Sequence, residues 1–182
     1  MAVHPPTDFD FHPLTEAHLP LLHAWLLRPH VAAWWGPAES VDELREDYIA
    51  HAHEPRATRA FIAMHRGRPM AFVQVYAVMG SGDGWWPDET DPGARGTDQF
   101  LADEADLGRG LGSAMLQALL ARLFEDVAVM VVQTDPQPHN ARAIRCYEKS
   151  GFEPVGVVET PDGKALLMRC TRQSMARRAG CA

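Results

Sequence analysis

The seven residues LGRGLGS, numbered 107–113, place three glycines at alternate positions directly before an apolar segment with helical spacing. Glycine lets the backbone adopt positive φ and approach a ligand without a Cβ clash. The first turn of the helix that follows presents free N–H groups and the positive end of the helix dipole. The stretch therefore suits a pyrophosphate group, although a tight turn without a ligand explains the same pattern.

Two other nucleotide-binding patterns fit this glycine turn badly. Dinucleotide-binding folds place their glycines after the first strand and an acid about 20 residues further on. Here the glycines lie at mid-chain after a predicted hairpin, and the segment 127–132 is wholly apolar. A P-loop needs Gly-Lys-Ser or Gly-Lys-Thr, which the turn lacks. Neither class accounts for the stretch.

The apolar periodicity on both sides of the turn predicts a mixed α/β chain with the order β-α-α-β-β-β-α-β-α-β-β. Ser40 and Glu43 form a capping-box pattern, which predicts a helix to about His53. Asn140 and Gly151 are typical of the start and end of a second helix. The remaining expectations are strands at 9–14, 60–64, 70–78, 98–102, 127–133, 152–158 and 165–169, helices at 15–27 and from about 110, and a short helical turn at 31–36. The strand at 127–133 is expected to be buried on both faces.

Length and composition predict one domain over residues 1–182, with loose ends at 1–7 and 173–182 and a basic, frayed tail from Arg169. Hydrophobic residues make up 46% of the chain, enough for a core, and there is no run of about 18 apolar residues. Its 24 acids against 17 Lys and Arg give a charge of −7, which argues against nucleic-acid and membrane partners. Three widely spaced cysteines indicate reduced thiols, and hence the cytoplasm.

Acidic residues are concentrated between Asp83 and Asp106, where eight of the 24 acids fall in 24 residues. The same region begins with GDGWW (82–86) and is rich in Gly and Pro, which is typical of a loop. One interpretation is a charged surface loop held down by its tryptophans, and the other is an acidic, aromatic-walled pocket for a cation. We expect no metal, because His51 and His53 point to different sides of a helix.

In the helix predicted at 140–150, Asn140 and Tyr147 are seven residues apart and share a face. A tyrosine there is either a core residue with its hydroxyl at the edge or a proton donor beside a bound cofactor.

Five segments together resemble a known family: HVAAWWG (30–36), GSGDGWWPDETDPGARGTDQ (80–99), QTDP (133–136), ARAIRCYEKSGF (141–152) and TPDG (160–163). With the glycine turn, they are similar to the GNAT superfamily of acetyl-CoA-dependent N-acetyltransferases, and more narrowly to the aminoglycoside 6′-N-acetyltransferases. The resemblance runs from about Phe9 to Arg172. It implies an α/β fold with a mixed central sheet, helices on both faces and a splayed parallel strand pair that receives acetyl-CoA.

The resemblance also implies the roles of particular residues. Asp98 is the expected general base, and Tyr147 is the expected acid for the leaving thiolate. A carboxylate is a weak base for an ammonium unless burial raises its pKa. The implied substrate-binding residues are Trp35, Asp83, Trp86, Asp98, Asp135 and Asp162, and the implied cofactor-binding residues are Phe100, Leu101, Gly108, Arg109, Gly110, Leu111, Gly112, Ser113, Asn140 and Tyr147.

Two positions match the family less well. Glu54 aligns with a further substrate acid only after a shift of two residues. Phe100 stands where a small residue is expected, which affects either the choice of acceptor or packing. Three functions remain open: an aminoglycoside acetyltransferase, an acetyltransferase for another amine such as a polyamine, siderophore precursor or protein N-terminus, and a non-catalytic module that binds cations or CoA. Monomer and homodimer are both open.

Overall fold

A computed structural model describes residues 8–36, 39–54 and 58–179. In these ranges seven strands are hydrogen-bonded in the order β1-β2-β3-β4-β5-β7-β6. Their bounds are β1 Phe9–Pro13, β2 Arg59–His65, β3 Arg68–Ala77, β4 Arg95–Leu101, β5 Val131–Thr134, β6 Glu153–Thr160 and β7 Gly163–Thr171. The helices are α1 Leu19–Leu26, α2 Pro29–Trp35, α3 Val41–Arg45, α4 Leu111–Leu123, α5 Ala141–Ser150 and α6 Arg172–Ala179.

Strands β4 and β5 run parallel, and the register pairs Arg95 with Val132 and Gly96 with Gln133. Strand β4 begins three residues before the predicted strand and continues past the paired residues to Leu101. The mixed α/β sheet and its parallel pair are therefore confirmed. The β1–β2, β2–β3, β5–β7 and β6–β7 pairs are antiparallel.

The chain divides into two compact units, and the first contains the residues up to Val75 together with Asp98–Leu111. Its core forms because α1 places apolar side chains three and four residues apart and β2 alternates apolar with less buried positions. Leu19, Leu22 and Ile62 are fully buried there. The capping box is confirmed: Glu43 N–H donates to Ser40 Oγ at 3.2 Å, and Ser40 N–H donates to Glu43 Oε2 at 2.7 Å.

The helix that this box opens differs from the prediction at its far end. After α3 the backbone widens into a π-helical turn, Glu46–Ala50, and ends before His53. At the start of the chain, the helix predicted over 15–27 is a 3-10 turn, Glu16–His18, followed by α1. Pro29, expected to end that helix, is instead the first residue of α2, where its missing N–H is harmless.

The second unit contains Tyr76–Thr97 and the residues from Gly112 onward. Met115, Leu116 and Leu120 of α4 are fully buried. Both predicted ends of α5 are confirmed. Ala143 N–H donates to the Asn140 side chain at 3.1 Å, and Gly151 ends the helix at a φ of 114° that glycine adopts without strain.

The strand predicted at 127–133 is wrong in its first half, because β5 begins only at Val131. Val127 is 81% exposed and Met130 is 52% exposed, so the apolar run is not buried on both faces. Asp126 is the physical reason: its side chain accepts the Ala128 N–H at 2.9 Å, and its carbonyl accepts the Val129 N–H at 3.0 Å. This local turn occupies the backbone groups that a strand would need.

The basic segment after Arg169 also differs from the expected frayed tail, since β7 continues to Thr171 and α6 follows it. The Arg172 guanidinium donates to the Val129 carbonyl at 3.0 and 3.2 Å and lies 5.5 Å from the centre of the Phe124 ring. Thr171 caps the new helix, because its Oγ1 accepts the backbone N–H of the buried Ser174 at 3.1 Å. The expected loose segment 1–7 and residues 180–182 lie outside the described residues. Within the ranges described, no helix is long and apolar enough to cross a membrane.

Candidate active site

The glycine turn has the backbone conformation that its sequence predicts. Gly108 and Gly110 have φ values of 73° and 82°, in the left-handed region that favours glycine, and no neighbouring atom lies within 4 Å of where a Cβ would stand. Helix α4 begins at the next residue, Leu111. Two left-handed glycines and the start of a 13-residue helix make a site suited to an anionic group such as a pyrophosphate.

A buried carboxylate, Asp106, anchors the segment directly before this turn, and it was not identified from the sequence. The Asp106 side chain is 8% exposed and accepts Arg68 Nη2 at 2.5 Å, while Arg109 Nη1 lies 3.9 Å from its other oxygen. Arg68 also donates to Asp103 at 2.8 Å. Asp106 therefore ties the β2–β3 hairpin to the residues just before the glycines. The position of this acid, two residues before the first glycine of the turn, was the signal in the sequence that could have identified it.

Asp98 lies partly buried on β4, with its carboxylate in a chain of hydrogen bonds. Gln74 Nε2 donates to Asp98 Oδ2 at 2.9 Å, and Tyr48 Oη donates to Gln74 Oε1 at 3.0 Å. Burial raises the pKa of Asp98, and the hydrogen bond from Gln74 opposes that shift. The carboxylate is consequently a stronger base than an exposed aspartate.

Neither Tyr48 nor Gln74 was identified from the sequence. Gln74 did leave a signal, because it is the single amide side chain in the otherwise apolar run 70–78. Tyr48 left none, since an aromatic residue in a helix is ordinarily a core residue.

Phe100, the departure from the family pattern, packs in an aromatic cluster of the first unit. Its ring centre lies 5.0 Å from Trp35, 5.6 Å from Phe72 and 6.5 Å from Trp25. Trp35 also meets Phe72 edge-on at 5.6 Å. Packing therefore accounts for the large side chain at position 100, which fixes the partly buried Trp35 at the end of α2.

In the second unit, the acidic loop that carries Asp83 and Trp86 has an unusual backbone. Both residues have positive φ, 49° and 48°, which is uncommon for residues other than glycine. The rings of Trp85 and Trp86 lie 6.0 Å apart, and no described residue accepts the buried Trp86 Nε1–H. Strained residues of this kind cluster where a loop serves a ligand.

Contacts within the second unit bring this loop to β7. Glu89 Oε2 accepts Arg169 Nη2 at 3.0 Å, and Arg169 donates to Gln133 Oε1 at 3.1 and 3.2 Å. A Cβ on Gly84 would stand 3.7 Å from Pro161, in the turn that carries the exposed Asp162.

The segment after β5 is fixed to the same strand. The Pro136 carbonyl accepts the Leu166 N–H of β7 at 2.8 Å, directly after the partly buried Asp135. The three predicted acids of this unit, Asp83, Asp135 and Asp162, therefore lie on segments held to β7 or to its preceding turn.

Helix α5 supplies the other predicted residues of this unit. Tyr147 is 5% exposed and meets Phe152 edge-on at 5.3 Å, so its ring is a core residue. The Asn140 side chain caps the helix, as described above. Ser113 Oγ donates to the Cys146 carbonyl at 3.3 Å, which joins the start of α4 to α5 beside Tyr147.

The structure groups the predicted site residues in two sets. The first unit holds Trp35, Asp98, Phe100, Leu101, Gly108, Arg109, Gly110 and Leu111, and the second holds Asp83, Trp86, Gly112, Ser113, Asp135, Asn140, Tyr147 and Asp162. Glu54 is exposed, and its carboxylate accepts from His51 Nδ1 at 3.0 Å. No group of three or more His, Cys, Asp or Glu side chains in the described ranges is arranged to hold a metal ion.

Comparisons with known proteins identify the family of the chain. The family model of the acetyltransferase (GNAT) domain matches residues 15–160. The aminoglycoside N(6′)-acetyltransferase type 1 of Klebsiella pneumoniae is 47% identical over 167 residues, which is 90% of this chain and 83% of that protein. Two solved structures of AAC(6′)-Ib are also similar. One, in complex with paromomycin and acetyl-CoA, has a TM-score of 0.88 at 46% identity over 93% of this chain and 96% of that one.

The other, in complex with coenzyme A and kanamycin, has a TM-score of 0.89 at 45% identity and covers 94% of this chain and 99% of that one. The family model covers well over half of the chain, and the relatives cover nearly all of it. The chain belongs to the GNAT acetyltransferase family.

Proposed function

We propose that this protein transfers the acetyl group of acetyl-CoA to the 6′-amine of an aminoglycoside. The observation that carries the proposal is Asp98: a partly buried, hydrogen-bonded carboxylate of raised pKa, in a chain 47% identical over 90% of its length to an aminoglycoside N(6′)-acetyltransferase. Such a group is suited to accept a proton from an ammonium.

Acetyl-CoA is the proposed cosubstrate, and the glycine turn with α4 is its proposed phosphate site. The open space at Gly108 and Gly110 fits a group that approaches the backbone closely. Backbone N–H groups near Phe100 and Leu101 are proposed to stabilise the oxyanion. The full proposed set is Phe100, Leu101, Gly108, Arg109, Gly110, Leu111, Gly112, Ser113, Asn140 and Tyr147.

The proposed reaction is a direct transfer. Asp98 takes a proton from the substrate ammonium, and the nitrogen lone pair then attacks the thioester carbonyl. The C–N bond forms, the C–S bond breaks, and the thiolate of CoA takes a proton from the Tyr147 hydroxyl. The second proton of the nitrogen leaves as the amide forms and restores the Tyr147 hydroxyl, and Asp98 releases its proton to solvent. Overall, one ammonium and one thioester give an amide, a thiol and one released proton.

Acceptor recognition is proposed to depend on carboxylates and aromatic walls, which suit a polycation with flat sugar faces. The proposed residues are Trp35, Asp83, Trp86, Asp98, Asp135 and Asp162. The family match draws on both units, which supports a single acetyltransferase domain. The free thiols of Cys146 and Cys170 support a cytoplasmic enzyme.

The experiment is a thiol-release assay with acetyl-CoA over kanamycin, ribostamycin and paromomycin, beside spermidine and 2,4-diaminobutyrate. We expect turnover with kanamycin and ribostamycin, and NMR of the product should show the acetyl group on the 6′-nitrogen. Faster turnover of spermidine or diaminobutyrate would show that the acceptor is another amine and not an aminoglycoside. Calorimetric binding of kanamycin without thiol release from any acceptor would indicate a binding module.

A further inference from the structure

We propose that Tyr48 and Gln74 are positioning residues for this reaction, holding one oxygen of Asp98 so that the other faces the acceptor amine. The inference rests on the proposed function for its catalytic meaning. Its geometry lies entirely within the first unit of the chain.

The hydrogen bonds run in one direction, from Tyr48 through Gln74 to Asp98. A glutamine amide has one accepting oxygen and one donating NH₂ group. The oxygen accepts Tyr48 Oη at 3.0 Å, and the NH₂ donates to Asp98 Oδ2 at 2.9 Å. If the amide turned over, its oxygen would face the carboxylate and its NH₂ would face the hydroxyl. The carboxylate, which can only accept, therefore fixes the orientation of the amide, and the Tyr48 hydroxyl supports that orientation by donating to the amide oxygen.

Tyr48 is reliably a donor in this arrangement. Burial raises the pKa of Tyr48 far above its ordinary value, and the negative charges of Glu39, Asp47 and Asp98 add to the shift. The hydroxyl consequently keeps its proton throughout the range in which the enzyme works. Its contact with the Gln74 oxygen is a donated hydrogen bond at every such pH.

The ring of Tyr48 is held separately from its hydroxyl. It meets Phe72 at 5.4 Å, and Phe72 is 1% exposed and lies 5.6 Å from Phe100. Phe72 and Gln74 are two apart on β3, and Asp98 and Phe100 are two apart on β4, so each pair shares a strand face. An aromatic contact and a polar contact thus lie side by side, and Tyr48 takes part in both.

The carboxylate is left with one oxygen for the substrate. Gln74 donates to Oδ2 at 2.9 Å, and we assign the other oxygen, Oδ1, to the substrate. The donated bond also favours the ionised form, since it lowers the pKa that burial raises. The pair thus favours the ionised form of Asp98, the form that accepts a proton, inside a partly buried site.

The test compares Gln74→Met and Tyr48→Phe with the wild type. Gln117→Met is the matched control, because Gln117 is exposed on α4 and its side chain donates to the Lys149 carbonyl at 3.1 Å, far along the chain from Asp98. Carbon-13 NMR of labelled aspartate follows the ionisation of Asp98 directly and needs no turnover. We expect the pKa of Asp98 to rise by about one unit in Gln74→Met, which is a tenfold fall in its acid constant. The rise should be smaller in Tyr48→Phe. Gln117→Met should leave it unchanged.

The pH profile is the second readout. The acid limb of kcat/KM for kanamycin should move to higher pH in the same order, while KM for acetyl-CoA stays constant. A pKa of Asp98 that is the same in all four proteins would overturn the proposal. If Gln74→Met fails to fold, Tyr48→Phe decides alone, since it keeps the packed ring. The variants could shift the pKa of Asp98 while the wild-type protein turns over no aminoglycoside. That result would refute the proposed function and leave standing the inference that Tyr48 and Gln74 hold Asp98.

Discussion

Two acid-bearing regions of this chain are built in opposite ways. Asp98 sits on a strand, partly buried, with an oxygen fixed by Gln74 and an aromatic cluster two residues away. Asp83 sits exposed in a loop whose backbone is left-handed at both Asp83 and Trp86. A carboxylate that moves protons needs one fixed position and a raised pKa, whereas a carboxylate that attracts a cation needs mainly its charge.

The largest expected effect is on the strand. Asp98→Asn keeps the shape and still accepts the Gln74 hydrogen bond, but it cannot take a proton. General base catalysis contributes about 10²–10⁴-fold, so kcat/KM for kanamycin should fall by that factor. Steady-state thiol release measures it, and Asp88→Asn in the exposed loop is the control for loss of one negative charge. Equal losses in the two variants would refute the contrast between the regions.

A second change tests how the loop is held. Arg169→Met removes the cation that binds Glu89, whose side chain is only 12% exposed. A part-buried carboxylate left without its partner should destabilise the fold by about 2 kcal/mol, measured by urea unfolding. A double-mutant cycle with Glu89→Gln separates the interaction energy of the ion pair from the loss caused by either substitution alone. Additive losses would mean that the ion pair does not anchor the loop.

The third change addresses the charge of the loop by itself. Asp83→Asn removes the carboxylate, and asparagine tolerates the left-handed backbone at this position. We expect KM for kanamycin to rise about tenfold, the size of one hydrogen bond to a charged group, with kcat unchanged. Steady-state kinetics with Asp98→Asn alongside gives the matching kcat effect. A fall in kcat without a change in KM would place Asp83 in the chemical step instead.

What the sequence could predict differs between the same two regions. The glycine turn and both capped helices follow from local signals, the parallel strand pair follows from the family resemblance, and all of them are present. Residues 127–130 read as strand because they are apolar, yet Asp126 turns the backbone there, since one side-chain hydrogen bond outweighs a short apolar run.

The partners of Asp98 were beyond sequence reasoning for another physical reason. Tyr48 and Asp98 are 50 residues apart in the chain, and a helix contact with a strand leaves no periodicity to detect. Gln74 was visible as a polar residue in an apolar strand, but its partners depend on the register of β3 beside its neighbours. The family resemblance named Asp98 and not the residues that hold it.

The smallest expected effect sharpens the comparison most, because it has the opposite sign. The folded pKa of Asp98 lies above its unfolded value, so the folded state binds the proton more tightly. Above the folded pKa the group is ionised in both states, and its burial costs folding free energy. In that pH range Asp98→Asn should therefore stabilise the fold by about 1 kcal/mol while it removes activity. As pH falls through the folded pKa, wild-type Asp98 takes up its proton and the advantage of the variant should vanish.

Urea unfolding of both proteins at pH 7.5 and pH 5 measures this difference. Asp83→Asn, at an exposed position, should show no such gain, and a gain of equal size there would mean that the strain of the loop, rather than the buried charge, sets the balance of stability and function.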